Sequence, residues 1–171
     1  MWCQLTNLKT KLTEWITTFL AVPNANLGDF APCPYARAAR ANNQIEILES
    51  SAKDLYRDAM DCLAVLDSKE VVVIAFDHVM IDPVTLQEIV HHLNSQLMPR
   101  NYVVLEDHPD SPEYVNGVRM NFGACGLLII QRLDKLNAAA DRLREQGYYA
   151  SWSQASLDSV VNWRYILDEI R

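Results

Sequence analysis

The chain has 171 residues, of which 50% are hydrophobic and 22% are charged, and its net charge is −7. This length fits one globular domain, residues 1–171, and the composition differs from that of disordered chains. The acidic excess repels a phosphate backbone, so we expect no nucleic-acid partner. No window holds the roughly 20 apolar residues that span a bilayer, and the first residues lack the pattern of a signal peptide. We therefore expect a cytoplasmic protein with no membrane partner.

The start of the chain predicts a helix followed by a long loop. Residues 5–20 place apolar side chains at helical spacing, which indicates an amphipathic helix ending near Pro23. The next stretch, NANLGDFAPCPYARAARANN, is rich in turn-forming residues and follows directly on Pro23. It predicts an irregular loop over residues 24–43, and loops of that length inside a compact domain are often functional.

The rest of the chain alternates strands with helices. Four runs rich in apolar residues, QIEILES, EVVVIAFDH, NYVVLEDHP and GLLIIQRL, predict strands. Helices are predicted after a serine cap at the end of QIEILES, after Asp82-Pro83, over residues 134–147 with Gly147 as the stop, and from Leu157 onward. This order favours an α/β or α+β fold, with a single mixed sheet of about four strands and helices packed on it. If the two strands within residues 44–77 share that sheet, a right-handed crossover makes them parallel.

The first candidate site is the motif APCPYAR. Two prolines flank Cys33 and fix its backbone, which suits a catalytic nucleophile. If a helix started at Tyr35, its dipole and Arg37 would lower the pKa of the thiol. Tyr35 and Arg37 are candidate substrate-binding residues. The alternatives are an inert buried cysteine, or a thiolate of the Cys33-Pro34 pair that binds haem iron.

The second candidate site follows the strand NYVVLEDHP. His108 comes at the carboxyl end of that strand, where open-sheet proteins bind ligands, and it is a candidate acid or base. In the segment VNGVRMNFGACG, Asn116, Arg119 and Asn121 are candidate substrate-binding residues, since a guanidinium group holds a carboxylate or a phosphate in two hydrogen bonds. The alternatives are an ordinary His-Pro-Asp turn and a solvated arginine paired with Glu113.

Metal binding is limited by the cysteine spacing. Cys3, Cys33, Cys62 and Cys125 form no CxxC pair, so we expect no zinc site and no dithiol redox motif. The cofactor is otherwise unknown, with iron or haem as a possibility. In a reducing compartment the four cysteines are most simply free thiols.

Two runs of the sequence resemble a family. The runs EWITTFLAVPNANLGDFAPCPYARAAR and HPDSPEYVNGVRMNFGACGLLIIQRLDKL resemble an uncharacterised family of small bacterial proteins, which combine an N-terminal tryptophan helix, a Cys-Pro-Phe-Ala motif and a later His-Pro segment. Tyr35 stands where the family has phenylalanine, and Met120 where it has proline. The resemblance implies a shared fold and a shared pocket but supplies no substrate. The positions carried over are Cys33, Pro34, Ala36, His108, Pro109 and Arg119.

Two classes of function follow from these motifs. The first is an enzyme of bacterial metabolism that closes the Cys-Pro-Tyr-Ala and His-Pro-Asp loops around a small anionic metabolite, in an electropositive pocket. The second is a non-catalytic accessory or binding protein, which pairs as a homodimer or with another protein through its aromatic C-terminal region. That region contains Tyr148, Tyr149, Trp152, Trp163 and Tyr165.

Overall fold

A four-stranded sheet forms the centre of the fold. A computed structural model describes residues 7–166. Its strands are β1 (Ile45–Ser50), β2 (Val71–Phe76), β3 (Tyr102–Asp107), β4 (Tyr114–Val115), β5 (Val118–Arg119) and β6 (Gly126–Arg132). The order in the sheet is β1-β2-β6-β3, with β1 parallel to β2 and β6 antiparallel to both of its neighbours. The predicted mixed sheet of about four strands and its parallel pair are confirmed.

Helices cover both faces of this sheet. They are α1 (Leu8–Trp15), α2 (Pro34–Ala41), α3 (Leu55–Asp61), α4 (Pro83–Leu97), α5 (Leu133–Glu145) and α6 (Gln154–Val160). Because side chains alternate along a strand, Val72 and Ile74 of β2 pack with α3 and α4, whereas Val71 and Val73 pack with α1 and α2. α5 packs beside them, against Val103 of β3. Within residues 7–166, no helix is both long and apolar enough to cross a membrane.

The predicted 24–43 loop is wrong in its second half, because α2 begins at Pro34. Proline suits the first position of a helix, where its missing N–H leaves no hydrogen bond unmade. The alanines and arginines that follow are strong helix formers. The irregular segment before α2 therefore ends at Cys33, which is the N-cap of the helix.

Two helix starts also differ from the prediction. α3 is capped by Asp54, whose carboxylate accepts the N–H of Arg57, and not by a serine. α6 begins at Gln154 rather than at Leu157, because the hydroxyl of Ser153 accepts the N–H of Ser156 and caps the helix earlier. The predicted start of α4 is confirmed, since Asp82 accepts the N–H groups of two residues in its first turn.

β3 lies at the edge of the sheet, and a side chain takes the place of its missing neighbour. Asn94 of α4 donates from Nδ2 to the carbonyl oxygen of Val104 at 2.9 Å and accepts the Val104 N–H at 2.8 Å. A buried carboxamide thus closes part of the edge that another strand would otherwise occupy. β1, β2 and β3 all run in the same direction, so the segment after β3 lies at their shared carboxyl edge.

Candidate functional site

A groove of about 740 Å³ runs along β3 on both sides of the sheet edge. We call it the β3 groove. It is lined by residues of α4, by residues 104–108, 111–113 and 120–121, and by Ile129, residues 158–160 and Trp163. Pockets for small molecules typically measure about 300–1,000 Å³. The groove is therefore large enough for a metabolite-sized ligand.

The charged residues that line the β3 groove are all acidic. Glu106 and Asp107 come from the end of β3, Glu113 from the following segment, and Asp158 from α6. The lining residues include no lysine and no arginine. Histidines at positions 91 and 108 are the other titratable groups in the lining. A concave surface lined by one sign of charge concentrates ions of the opposite sign.

Glu106 has an incomplete set of hydrogen bonds. Its Oε2 atom is buried and has no hydrogen-bond partner among the described residues. Burial raises the pKa of this carboxyl group, the side chain of Gln87 opposes the rise, and the charge on Glu113 adds to it. A carboxyl group beside a cleft whose pKa is raised by burial is a candidate functional group. Partial burial and the neighbouring Asp107 also raise the pKa of Glu113.

Asp107, the next residue, is buried with its hydrogen bonds complete. Its Oδ1 accepts Nδ2 of Asn121 at 2.8 Å, and its Oδ2 accepts the N–H of Phe122 at 2.8 Å. Burial raises the pKa of Asp107, whereas these two donors and the charge on Arg119 oppose the rise. The carboxylate thus ties the end of β3 to the segment that leads into β6.

His108 is buried, with 3% of its surface exposed, and both ring nitrogens have partners. Nε2 lies 2.9 Å from the carbonyl oxygen of Ile81 and 3.3 Å from that of His78, so it carries a hydrogen and donates it. Nδ1 accepts the N–H of Asp110 at 3.1 Å. This pattern fits the neutral ring, in which one nitrogen donates and the other accepts. His108 holds the loop after β2 against the loop after β3.

The three candidates in the segment VNGVRMNFGACG lie in different surroundings. Asn121 lines the β3 groove, and its amide joins Asp107 and the N–H of Glu113. Asn116 lies with Gly117 in the turn between β4 and β5, and both have positive φ, 49° and 79°. The Asn116 side chain donates to Asn26 and Ser151 rather than into the groove. The turn type is the one that Asn-Gly favours between two strands.

Arg119 is exposed on β5 and does not line the groove. Its Nη2 atom donates to the carbonyl oxygen of Pro109 at 3.1 Å. The ion pair with Glu113, which was the alternative interpretation of this arginine, is not among the salt bridges of residues 7–166. The guanidinium group therefore supports the His-Pro-Asp turn from outside.

Cys33 lies at the start of α2, apart from the groove lining. Burial raises the pKa of its thiol, although the N–H groups of Ala36 and Tyr35 and the charge on Arg164 oppose the rise. The hydroxyl of Tyr35 donates to Glu70 at 3.1 Å, just before β2 and thus at the amino end of that strand. Arg37 is exposed. Of the seven candidate site residues, only His108 and Asn121 line the β3 groove.

Much of the aromatic C-terminal region packs within the chain. Tyr148 is buried, and its hydroxyl donates to the carbonyl oxygen of Pro32 at 2.6 Å. Its ring contacts those of Phe30, Tyr149 and Trp152. Trp163 packs against the core beside α5 and forms one wall of the β3 groove.

Metal ligands do not converge in the described part of the chain. Within residues 7–166, no group of three or more histidine, cysteine, aspartate or glutamate side chains is arranged to hold a metal ion. The haem interpretation of Cys33-Pro34 stays a prediction. Comparison of the chain with protein-family models, with curated proteins and with solved structures finds no match.

Sequence reasoning missed the acidic character of the groove. Glu106 is the fifth residue of the strand YVVLED. A charged side chain near the end of a mostly apolar strand was the one sequence signal of an acidic site. Glu113, Asp158 and Trp163 gave no comparable signal, because their meeting depends on how distant segments pack.

Proposed function

We propose that the protein binds a small organic cation in the β3 groove. The observation that carries this proposal is the charge of the lining, which contains four acidic side chains and neither lysine nor arginine. A protonated amine or a guanidinium group would neutralise the carboxylates and donate hydrogen bonds to them. The anionic metabolite expected from the motifs lacks support in this groove, because Arg119 lies outside it.

The rest of the groove suits an apolar body on such a ligand. Leu86 and Val90 of α4 line one side, and Ile129 and Val160 line another. Trp163 adds an aromatic face, and indole rings attract cations placed over them. Apolar walls with a few polar groups are typical of small-molecule sites. We therefore expect an amine that carries a hydrocarbon or aromatic portion.

Glu106 is the group expected to gain most from the ligand. Leaving a buried polar atom without a partner costs about 1–3 kcal/mol, and Oε2 is such an atom. A small rotation of the side chain toward a bound ammonium group would give this oxygen a donor. The ligand would then lower the pKa of Glu106, because a nearby positive charge favours the ionised carboxylate.

The raised pKa of Glu106 supports a second candidate function, which is acid–base catalysis on the bound ligand. A raised pKa keeps the proton on the carboxyl group to higher pH, and a carboxyl group that still holds its proton can donate it to a substrate. Compounds that bind are to be incubated with the protein and followed by NMR. Conversion that disappears in a Glu106→Gln variant would make the protein an enzyme, whereas recovery of unchanged compounds would leave it a binding protein.

Isothermal titration calorimetry tests the binding proposal with matched compounds. Alkylamines, alkylguanidines and carboxylic acids of equal chain length differ only in the charge of the head group. We expect the two cations to bind and the carboxylates to give no measurable heat. Carboxylates that bind as well as the amines would contradict the proposal.

Matched variants test whether the ligand binds in the groove. Glu106→Gln and Asp158→Asn remove one charge each, and we expect each to weaken amine binding by about tenfold, as the loss of a charge-assisted hydrogen bond predicts. Glu88→Gln removes an exposed charge from α4 outside the groove lining and serves as the control. Equal losses in the three variants would indicate a general effect of net charge instead of a specific site.

A further inference from the structure

The acidic side chains of the β3 groove lie on both faces of the sheet. Side chains alternate along β3, so Val104 and Glu106 face α4, whereas Leu105 between them faces the other side. Trp163 packs with Leu105, and Asp158 lines the groove from the same C-terminal segment as Trp163. The groove therefore passes around the edge of β3, with Glu106 on one face of the sheet and Asp158 on the other.

Glu106 and Glu113 form one acidic end of the groove, at the carboxyl end of β3. Oε2 of Glu106 is buried and has no hydrogen-bond partner among the described residues. Asn121 holds Glu113 close to the end of β3, because its side chain accepts the Glu113 N–H at 2.6 Å and donates to Asp107 at 2.8 Å. Neither glutamate takes part in a salt bridge of residues 7–166. This end can therefore accept hydrogen bonds from a cation.

Asp158 and Trp163 form the other end. Oδ1 of Asp158 accepts the side-chain amide of Gln154 at 2.8 Å and that of Asn162 at 2.6 Å. These two donors orient the carboxylate, and its Oδ2 has no hydrogen bond to a described residue. Asp158 is exposed, so the free oxygen is accessible from solvent. A cation at this end would meet a carboxylate oxygen and the face of an indole ring.

The surface between the two ends is apolar. Leu105 connects them, because it precedes Glu106 in β3 and packs with Trp163. Ile129 is the partner of Leu105 in β6 and lines the groove beside it. Apolar surface offers no hydrogen bond to a charged or polar group, so burying such a group there is unfavourable. The groove thus presents an acidic end, an apolar middle and a second acidic end.

We propose that the ligand of the β3 groove is a linear aliphatic diamine, with one ammonium group at Glu106 and Glu113 and the other at Asp158. This inference rests on the proposed function, since it names the class of cation that the groove would bind. The four lining carboxylates form no salt bridge in residues 7–166, and a single ammonium group would leave most of their charge uncompensated. Two charges joined by a hydrocarbon chain match the arrangement of the lining.

Calorimetry with three compounds of equal chain length tests the inference. 1,6-Diaminohexane has two ammonium groups, hexylamine has one, and 6-aminohexanoic acid has a carboxylate in place of the second. We expect the diamine to bind about tenfold more tightly than hexylamine, as a second charge-assisted hydrogen bond predicts, and the amino acid to bind more weakly than hexylamine. Equal affinities of the diamine and hexylamine would overturn the inference and leave the proposed function standing. No binding of either amine would overturn both.

The length of the diamine separates a site with two ends from a general attraction to an acidic protein. The diamines from 1,3-diaminopropane to 1,10-diaminodecane carry the same charge, and each is compared with the monoamine of equal length. We expect the ratio of the two affinities to be largest at one intermediate length, at which both ammonium groups reach their carboxylates. A ratio that stays the same at every length would overturn the inference, because only the charge of the ligand would then matter.

A double-mutant cycle tests whether the two ends hold different ammonium groups. Glu106→Gln and Asp158→Asn are each expected to weaken the binding of 1,6-diaminohexane about tenfold, and the two together about a hundredfold, because separate interactions add. Glu88→Gln changes an exposed residue outside the groove lining and is expected to leave the affinity unchanged. A combined loss no larger than that of one variant would place both carboxylates at one ammonium group and overturn the inference. The comparisons on the unaltered protein decide the question if a variant does not fold.

Discussion

Two neighbouring parts of the molecule use their polar side chains in opposite ways. One is the turn after β3, residues 107–110, which we call the His-Pro-Asp corner, and the other is the β3 groove. In the corner, Asp107 and His108 are buried and every ring or carboxylate atom that can bond has a partner. In the groove, Glu106 precedes them in sequence but keeps one buried oxygen without a partner. Complete hydrogen bonding identifies polar residues that hold the fold. An incomplete set identifies the residue with capacity left for a ligand.

The corner explains why the segment is so polar. Loops have no regular ladder of hydrogen bonds, so side chains must satisfy the buried backbone groups instead. His108 donates to the carbonyl oxygen of Ile81 in the loop after β2, and Asp107 accepts the N–H of Phe122 in the segment before β6. The comparison predicts a large loss of stability when His108 of the corner is changed, and a change of opposite sign when Glu106 of the groove is changed.

The largest expected effect is that of His108→Ala. The substitution leaves the carbonyl oxygen of Ile81 and the N–H of Asp110 without partners and opens a cavity, so we expect the free energy of unfolding to fall by about 3 kcal/mol. Urea denaturation measures the loss. His91→Ala changes an exposed histidine of α4 and is expected to stay within about 0.5 kcal/mol. Equal effects of the two substitutions would show that the corner does not depend on its histidine.

Asn94→Leu is expected to have the next largest effect. The substitution keeps the branching of the side chain but removes both hydrogen bonds to Val104, so two backbone groups of the edge strand lose their partners. We expect a loss of about 2 kcal/mol in the free energy of unfolding, since water at the groove replaces part of the bonding. Glu88→Leu on the same helix is the control. An unchanged free energy in Asn94→Leu would mean that water alone satisfies this edge.

The fold was largely predictable from the sequence because its signals are local. The β-branched run of β2 and the Asp82-Pro83 start of α4 identify their elements within a few residues. α2 was missed because prolines and a cysteine precede it, although Pro34 is a good first helical residue. The hairpin of β4 and β5 was missed although Asn116-Gly117 is a typical turn between strands.

The candidate site was less predictable because it depends on contacts between distant segments. A loop rich in polar side chains indicates two alternatives equally well. The side chains are either available to a ligand or hydrogen-bonded to other groups of the protein. Which of them applies depends on partners such as Ile81 and Phe122, and no local pattern specifies those contacts. The same reason applies to Cys33 and His108, since neither motif indicates whether its side chain lines the groove, and only that of His108 does.

Glu106→Gln is expected to stabilise the protein slightly. Burial holds the folded-state pKa of Glu106 above its unfolded value of about 4.3, so its favourable contribution is complete below that value and is lost as the pH rises through the folded-state pKa. The glutamine of the variant has no charge, so burying it does not cost stability at neutral pH. We therefore expect the free energy of unfolding of the variant to exceed that of the unaltered protein by about 1 kcal/mol there. The difference should vanish at acidic pH.

Thermal melting of the two proteins across the pH range measures this difference without any ligand. Glu88→Gln, which removes an exposed carboxylate, should show no pH-dependent gain. A Glu106→Gln protein that is less stable at neutral pH would show that the carboxylate has a partner after all. The groove would then resemble the corner, and the argument for a cationic ligand would weaken with it.

Arg119→Ala is expected to have the smallest effect. The side chain is exposed and makes one hydrogen bond, to the carbonyl oxygen of Pro109, so its removal should change the free energy of unfolding by less than about 0.5 kcal/mol. Because Arg119 lies outside the groove lining, the affinity for amines should also stay the same or rise slightly, since one positive charge near the carboxylates is lost. Urea denaturation and calorimetry measure the two quantities on one preparation. A large loss of binding, above all of a carboxylic acid, would place the guanidinium group in the site and restore the anionic ligand that the VNGVRMNFGACG segment predicts.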